Sequence, residues 1–342
     1  MSEQRSVRCP ECDEVVGEVN RREFMKGVGV AAVAASAGVL PVFATPRLVT
    51  AAEPKATTAP EAAVKHLYES LDEKQRKVIC KPFGDALQKR YSANWAITKP
   101  SISDGFFTKD QQATIRDIFR GCTSEEGYKR FLKQMQEDYG GFGRYHIAIF
   151  GKPADGEKWQ WVMSGRHMTL RCDGNFEDDT AFGGPMVYGH GTGDSKKGMP
   201  GNVFYYQTLQ ANEVFKMLDG KQRDKALLPE SPPEDAVQIR GPNATYPGIA
   251  VAECSADQKK LVEKVMHDLL APYREEDVKE AMHCLKSGGG LDKMHIAFYK
   301  DQDIGSDEIW DIWRLEGPTF VWHFRGAPHV HTYVNIASKA KT

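Results

Sequence analysis

The chain has 342 residues, with 45 Lys+Arg against 47 Asp+Glu and a formal net charge of -2. That balance, with no basic block, excludes a nucleic-acid partner held through its phosphates. A hydrophobic fraction of 41% with 10% aromatics fits an ordinary globular core.

Residues 1–52 read as an N-terminal leader. Asn20-Arg21-Arg22-Glu23-Phe24-Met25-Lys26 has the form of a twin-arginine export signal. An uncharged Ala/Val/Gly-rich stretch runs from Gly27 to Pro46, and small residues offer cleavage near Ala44 or Ala51-Ala52. The expected partner of this leader is the twin-arginine translocase, and the expected destination is the periplasm or the exterior. An uncleaved leader would instead be a membrane anchor. About 20 apolar residues span a bilayer, and this stretch is only weakly apolar. That route carries folded proteins, often with a cofactor in place, which raises the expectation of a metal. Cys9-Pro-Glu-Cys12 precedes the arginines, has no second pair at finger spacing, and is assigned no role in the mature protein. Cys80, Cys122, Cys172, Cys254 and Cys284 are scattered, and their spacing selects no disulfide.

Residues 53–60 form a Pro/Ala/Thr linker, and 61–342 read as a single α+β domain. Helical periodicity runs from Pro60 toward Cys80 and breaks around Asp104 to Phe107. A pattern then occurs twice, over about 108–171 and 255–323. The first copy starts Thr108-Lys-Asp-Gln-Gln, with a helix Ala113 to Phe119 and a second helix opened by a capping box at Thr123-Ser-Glu-Glu. Strand Tyr145-His146-Ile-Ala-Ile-Phe150 follows, then Trp159-Gln-Trp161 and Gly165 to Arg171. The second copy starts Ser255-Ala-Asp-Gln-Lys, with helices Leu261 to Leu270 and about Glu275 to Leu285, stopped by Gly288-Gly-Gly290. Strand Met294-His295-Ile-Ala-Phe-Tyr299 comes next, then Trp310-Asp-Ile-Trp313 and Gly317 to His323. Shared order and spacing point to a diverged duplication, each unit two helices and a three-stranded meander. The expected product is an antiparallel sheet of six or more strands with packed helices. Between the copies, Phe182 to Gly201 reads as a long Gly-rich loop carrying His190, Leu209 to Leu228 as helix, and Pro229 to Pro247 as a Pro-rich connection.

The segment Trp322-His323-Phe324-Arg325-Gly326-Ala327-Pro328-His329-Val330-His331 puts three of ten histidines within nine residues. His-x-His in a strand points both rings to one face, and imidazole is both the commonest metal ligand and a common general base. The plain alternative is a solvated pair on an edge strand. His167, Thr169 and Arg171 share a face in the first copy, and Thr319, Val321 and His323 share the matching face in the second. His329, His331 and Tyr333 share a face of the last strand. A hairpin through Gly326-Ala-Pro328 makes His323 and His329 near cross-strand neighbours, with His167 approaching from the other copy. His167, His323, His329 and His331 are therefore candidate ligands of one transition metal ion, Zn, Cu, Fe, Ni or Mn. Arg166 and His190 are candidate catalytic residues. His146 and His295 recur at the start of equivalent strands and read as structural; His66, His267 and His283 read as surface residues on helices. No nucleophile elbow, P-loop, His-Glu-x-x-His or haem-attachment motif is present.

Leu71-Asp-Glu-Lys-Gln-Arg, Gly165-Arg-His-Met, Gly317-Pro-Thr-Phe and Pro328-His-Val-His stand in this order. Together they resemble a bacterial family catalogued as domain of unknown function 3500, over about Leu71 to Ile336. Members of that family usually carry Gly-His-His-Leu where this chain has Gly165-Arg166-His167-Met168, so only the second histidine is kept. An acidic residue is usual at the position of His323, and the family's His-x-His matches His329 and His331. The resemblance implies a site and names no reaction.

The expected function is that of an exported metal-dependent protein. It would be an enzyme whose histidine-bound metal activates water or dioxygen toward a small-molecule substrate. The alternatives are a metal- or ligand-binding module without turnover, favoured by a closed four-histidine site, and a metal-free hydrolase or lyase with His167 or His331 as general base.

Overall fold

The structure, a computed structural model, describes residues 59–154, 156–174 and 180–339. The leader with its twin arginines, Cys9 and Cys12, and most of the linker lie outside the described residues. Among the described residues no helix is long and apolar enough to cross a membrane.

Helix α1 (Pro60–Ser70) begins with a proline, whose missing N–H is not needed in a first turn. The helix expected to run on to Cys80 is instead divided at Asp72, which starts α2 (Glu73–Ile79). Asp72 accepts from the Gln75 N–H, and the Gln75 side chain accepts from the Asp72 N–H. The chain continues through β1 (Cys80–Lys81) and α3 (Ala86–Lys89) to the paired helices α4 (Lys109–Gly121) and α5 (Glu125–Tyr139). The capping box expected at Thr123 belongs to α4, between Thr108 and Gln111. Ser124 caps α5 alone, because the third residue along is Gly127, which has no side chain to reciprocate. Thr123 closes the preceding helix through its hydroxyl.

Strands β2 (His146–Gly151), β3 (Trp159–Gly165), β4 (Met168–Asp173) and β5 (Met186–His190) follow. After them come α6 (Tyr206–Met217), α7 (Gly220–Ala226), β6 (Leu227–Leu228), β7 (Ile249–Ala250), α8 (Ala256–Leu270) and α9 (Glu275–Ser287). The expected helix Leu209 to Leu228 is thus two, divided by a capping box at Asp219 and Gln222. The chain ends in β8 (His295–Tyr299), β9 (Ile312–Gly317), β10 (Phe320–Arg325) and β11 (Val330–Ile336).

The fold is α+β, with helices against one sheet of 11 strands. Its order is β1-β2-β3-β4-β5-β11-β10-β9-β8-β6, with β7 also paired to β8. The short strands β1 and β6 pair parallel to β2 and β8, and the remaining pairs are antiparallel. Elements α2-β1, α4-α5 and β2-β3-β4 build one side. Elements α7-β6, α8-α9 and β8-β9-β10 follow the same order on the other. The sides join where β5 pairs antiparallel with β11.

That junction corrects the reading of Phe182 to Gly201 as one long loop. Met186 to His190 form a fully buried central strand, and the loop proper begins after it. The glycines on both sides hid a strand whose apolar run is only Met186-Val187-Tyr188.

The main core lies between the sheet and the helices and includes Trp161, Trp313 and Trp322, all fully buried. The other face is covered by irregular chain. Trp95 and Ile97 pack on Ala148, Phe150 and Val162, while Ala93 and Val237 pack on Val187, Val321 and Tyr333. Asp311, just before β9, is 1% exposed. Burial pushes its carboxyl up to about 7, opposed by a bond from the Ile304 N–H and reinforced by the Asp303 charge. A folded-state value above the unfolded one means that Asp311 is most favourable to folding when protonated, and that this contribution is lost as pH rises through about 7. Asp311→Asn should remove that dependence. The variant should gain on the order of 1–3 kcal/mol relative to wild type between pH 5 and pH 8 in urea titrations. Parallel stability curves for the two proteins would contradict the assignment.

Candidate metal centre

Three of the four expected ligands meet at the end of the central strands. His167 occupies the turn between β3 and β4 with φ 55, a left-handed conformation, and its N–H bonds the Ala93 carbonyl at 2.5 Å. His331 lies in β11 opposite Gly189 of β5. His329 sits in the turn that leads into β11. The three ring centroids form a nearly equilateral triangle with sides of 5.0, 4.9 and 4.8 Å. One ligand atom from each ring lies within 4.8 Å of the others, and all three residues are buried.

β5 runs between β4 and β11, so its side chains decide whether these rings can meet. A Cβ on Gly189 would come within 2.2 Å of the Val330 carbonyl oxygen and 3.3 Å of the His331 ring. A Cβ on Gly191 would lie 3.0 Å from Asp138 Oδ1 and 3.4 Å from the His167 ring. The pattern Tyr188-Gly189-His190-Gly191 leaves the space in which His167 and His331 approach across the strand.

Two rings are oriented by carboxylates that sequence reading did not single out. His167 Nδ1 donates to Asp138 Oδ2 at 2.6 Å, and His331 Nδ1 donates to Glu234 Oε1 at 2.9 Å. An ionised carboxylate only accepts, so each Nδ1 carries a proton, and in the neutral ring Nε2 is the atom left with a lone pair. Asp138 also accepts from Gln134 Nε2 at 2.9 Å and from the Gly191 N–H at 2.9 Å. Burial pushes its carboxyl up, but the His167 bond and charge outweigh that and hold it at about 2. Glu234 places its second oxygen 2.7 Å from Arg325 Nε, so Arg325, Glu234 and His331 form a chain. His329 Nδ1 lies 3.6 Å from the Asp194 carboxylate of the covering loop. No local sequence signal marks Asp138 or Glu234. One ends a surface-patterned helix, the other sits in the Pro-rich connection, and their partners are 29 and 97 residues away.

Burial, then the neighbouring His331 and His167 rings and the two arginines, holds His329 far below the ordinary imidazole range. Burial and then Arg325 do the same for His331. Both rings are therefore neutral near neutral pH, the form that ligates. His329 Nε2 and His331 Nε2 are 3.1 Å apart. Nitrogens bound tetrahedrally to one zinc at ~2.0–2.1 Å would lie about 3.4 Å apart. The donor set fits a three-histidine centre with carboxylates fixing two of the rings.

The other candidates lie outside the triangle of rings. His323 is not a member of the cluster. It shares the sheet face of His331, but register pairs it with Tyr333 and Arg314, while Arg325 stands opposite His331. His329 therefore belongs to the hairpin turn and is not a cross-strand neighbour of His323. Burial and the charges of Arg314 and Arg325 keep His323 neutral. His190 accepts from the Val203 N–H at Nδ1, 3.0 Å, and presents Nε2 to Glu137 at 3.0 Å, so it holds the loop after β5 in place. The Arg166 backbone carbonyl accepts from Tyr145 Oη at 2.6 Å, while its guanidinium field reaches His329 and His331. His146 bonds the Pro100 carbonyl at 3.0 Å, in keeping with the structural role expected.

A family model described as "Protein of unknown function (DUF3500)" matches residues 53–338. The chain belongs to this family. No curated protein and no solved structure matches it. The matched span takes in all three clustered histidines and both carboxylates that orient them.

Proposed function

We propose that the protein is exported and binds one transition metal ion through His167, His329 and His331, and that this ion serves catalysis on a small-molecule substrate. The observation that carries this reading is the set of three buried rings with ligand atoms within 4.8 Å, two of them fixed by buried carboxylates. Zn, Cu, Fe, Ni and Mn suit such a donor set. Bound there, the ion would supply Lewis-acid or dioxygen chemistry to a small-molecule substrate. Asp138 and Glu234 fix the tautomers of His167 and His331, and the arginine at 166 adds positive charge suited to an anionic substrate group. The leader reading supports passage through the twin-arginine translocase to the periplasm or exterior, with membrane attachment only if the leader stays uncleaved. The shared order of the two halves of the sheet further supports descent from one duplicated unit.

Metal analysis of untagged mature protein tests this reading. About one ion per chain is expected, and a metal-free wild type would end it. Glu234→Gln should weaken metal affinity about 10–100-fold while leaving a folded protein, because a neutral amide orients His331 less firmly than a carboxylate. Unchanged affinity in a competition titration would remove Glu234 from the centre. A second reading rests on the same carboxylate–imidazole pairs, which resemble the orienting half of a metal-free general base. It predicts a wild type without stoichiometric metal. Binding without turnover is the third, supported by the near-complete burial of all three rings.

A further inference from the structure

A second site stands apart from the histidines. At the opposite end of the covered sheet face is a cleft of about 550 Å³, within the size range of small-molecule pockets. Arg171 lies four residues beyond His167 and Asn335 four beyond His331, which places the cleft about 13 Å along the strands from the cluster. The wall of Val187, Val321, Tyr333, Ala93 and Val237 stands between the two.

Lys89, Arg171 and Lys339 line the cleft, and no carboxylate does so among the described residues. Arg171 is 3% exposed and tied to neutral oxygens: Pro185 O at 2.7 Å, Gln88 O at 2.6 Å, Gln160 Oε1 at 3.0 Å and Arg90 O at 2.9 Å. Asp173 acts on it only through space. Its charge is thus fixed in place without a carboxylate bonded to it. Thr180 also lines the cleft, 4% exposed, and its hydroxyl has no hydrogen-bond partner among the described residues. A buried hydroxyl without a partner is costly, and a ligand oxygen would satisfy it.

We propose that this cleft binds a small organic carboxylate. The cationic rim formed by Lys89 and Lys339 meets the anion, the Thr180 hydroxyl donates to it, and the carbon skeleton packs on Phe83 and Ile239. Neither the ion at the histidine cluster nor any turnover is required, so this site stands or falls separately from that centre.

Isothermal titration of the full chain with citrate, succinate and benzoate, against inorganic sulfate, tests the assignment. At least one carboxylate should bind one-to-one with Kd below about 1 mM, and sulfate at least about tenfold more weakly. Lys89→Ala/Lys339→Ala should weaken binding about tenfold or more, and Thr180→Val by about three- to tenfold. His329→Ala/His331→Ala should bind as wild type does. The proposal fails if none of the three carboxylates binds, if sulfate binds as well, or if both the lysine pair and Thr180 are dispensable. Loss of binding in the histidine variant would also overturn it, by moving the carboxylate to the cluster.

Discussion

His329→Ala/His331→Ala protein is expected to purify folded and without metal, a loss of affinity of at least about 1000-fold. Two of three rings vanish, and a single imidazole does not hold an ion against water and chelators. The variant should fold because what remains is still paired: Glu234 keeps Arg325 at 2.7 Å, and Asp138 keeps His167 at 2.6 Å, Gln134 and the Gly191 N–H. The cost to the apo protein is that of two buried cavities, to be read from urea titrations of both metal-stripped proteins. Metal content by mass spectrometry, with circular dichroism as the check on folding, decides the point. A folded double variant carrying wild-type metal would show that the ion sits elsewhere.

The second large effect is one of packing. Trp313→Ala should destabilise the domain by about 3–5 kcal/mol. Trp313 is fully buried in β9 and stacks on Phe324 of β10, with centroids 5.3 Å apart and planes at 13°. Its Nε1–H has no hydrogen-bond partner among the described residues, so the substitution strands no polar group and the loss is one of contact and cavity alone. A shift in the urea midpoint without change of slope would register this. A loss below about 1 kcal/mol would mean that the neighbouring Phe324 and Phe298 side chains collapse into the space.

These two outcomes separate what holds the fold from what holds the site. The fold rests on the helix-side core, whose apolar positions repeat with helix and strand periods. That is why both helix pairs, both meanders and the final hairpin are legible from sequence. The capping glutamines Gln111 and Gln258 mark equivalent helix starts, and the apolar runs beginning at His146 and His295 mark equivalent strands. Strand β5 escaped notice because Gly183, Gly184, Gly189 and Gly191 frame a run too short to declare its period.

The site was half legible. Residue type and spacing singled out His167, His329 and His331. They also singled out His323, which shares the face of His331 but faces Arg314 and Tyr333 in register. A hairpin slipped by a few residues would have met the same sequence pattern, and only the strand pairing chooses between them.

By itself, then, the sequence determined most element types other than β5, the α+β class and the histidines worth watching, because those follow from local periodicity and side-chain chemistry. Only the tertiary structure decided which rings meet and which carboxylates orient them. The carboxylate–ring pairs are 29 and 97 positions apart and the His167 and His331 rings 164 apart, and their meeting depends on one glycine in β5 and one just after it. No local pattern encodes a distance of that kind.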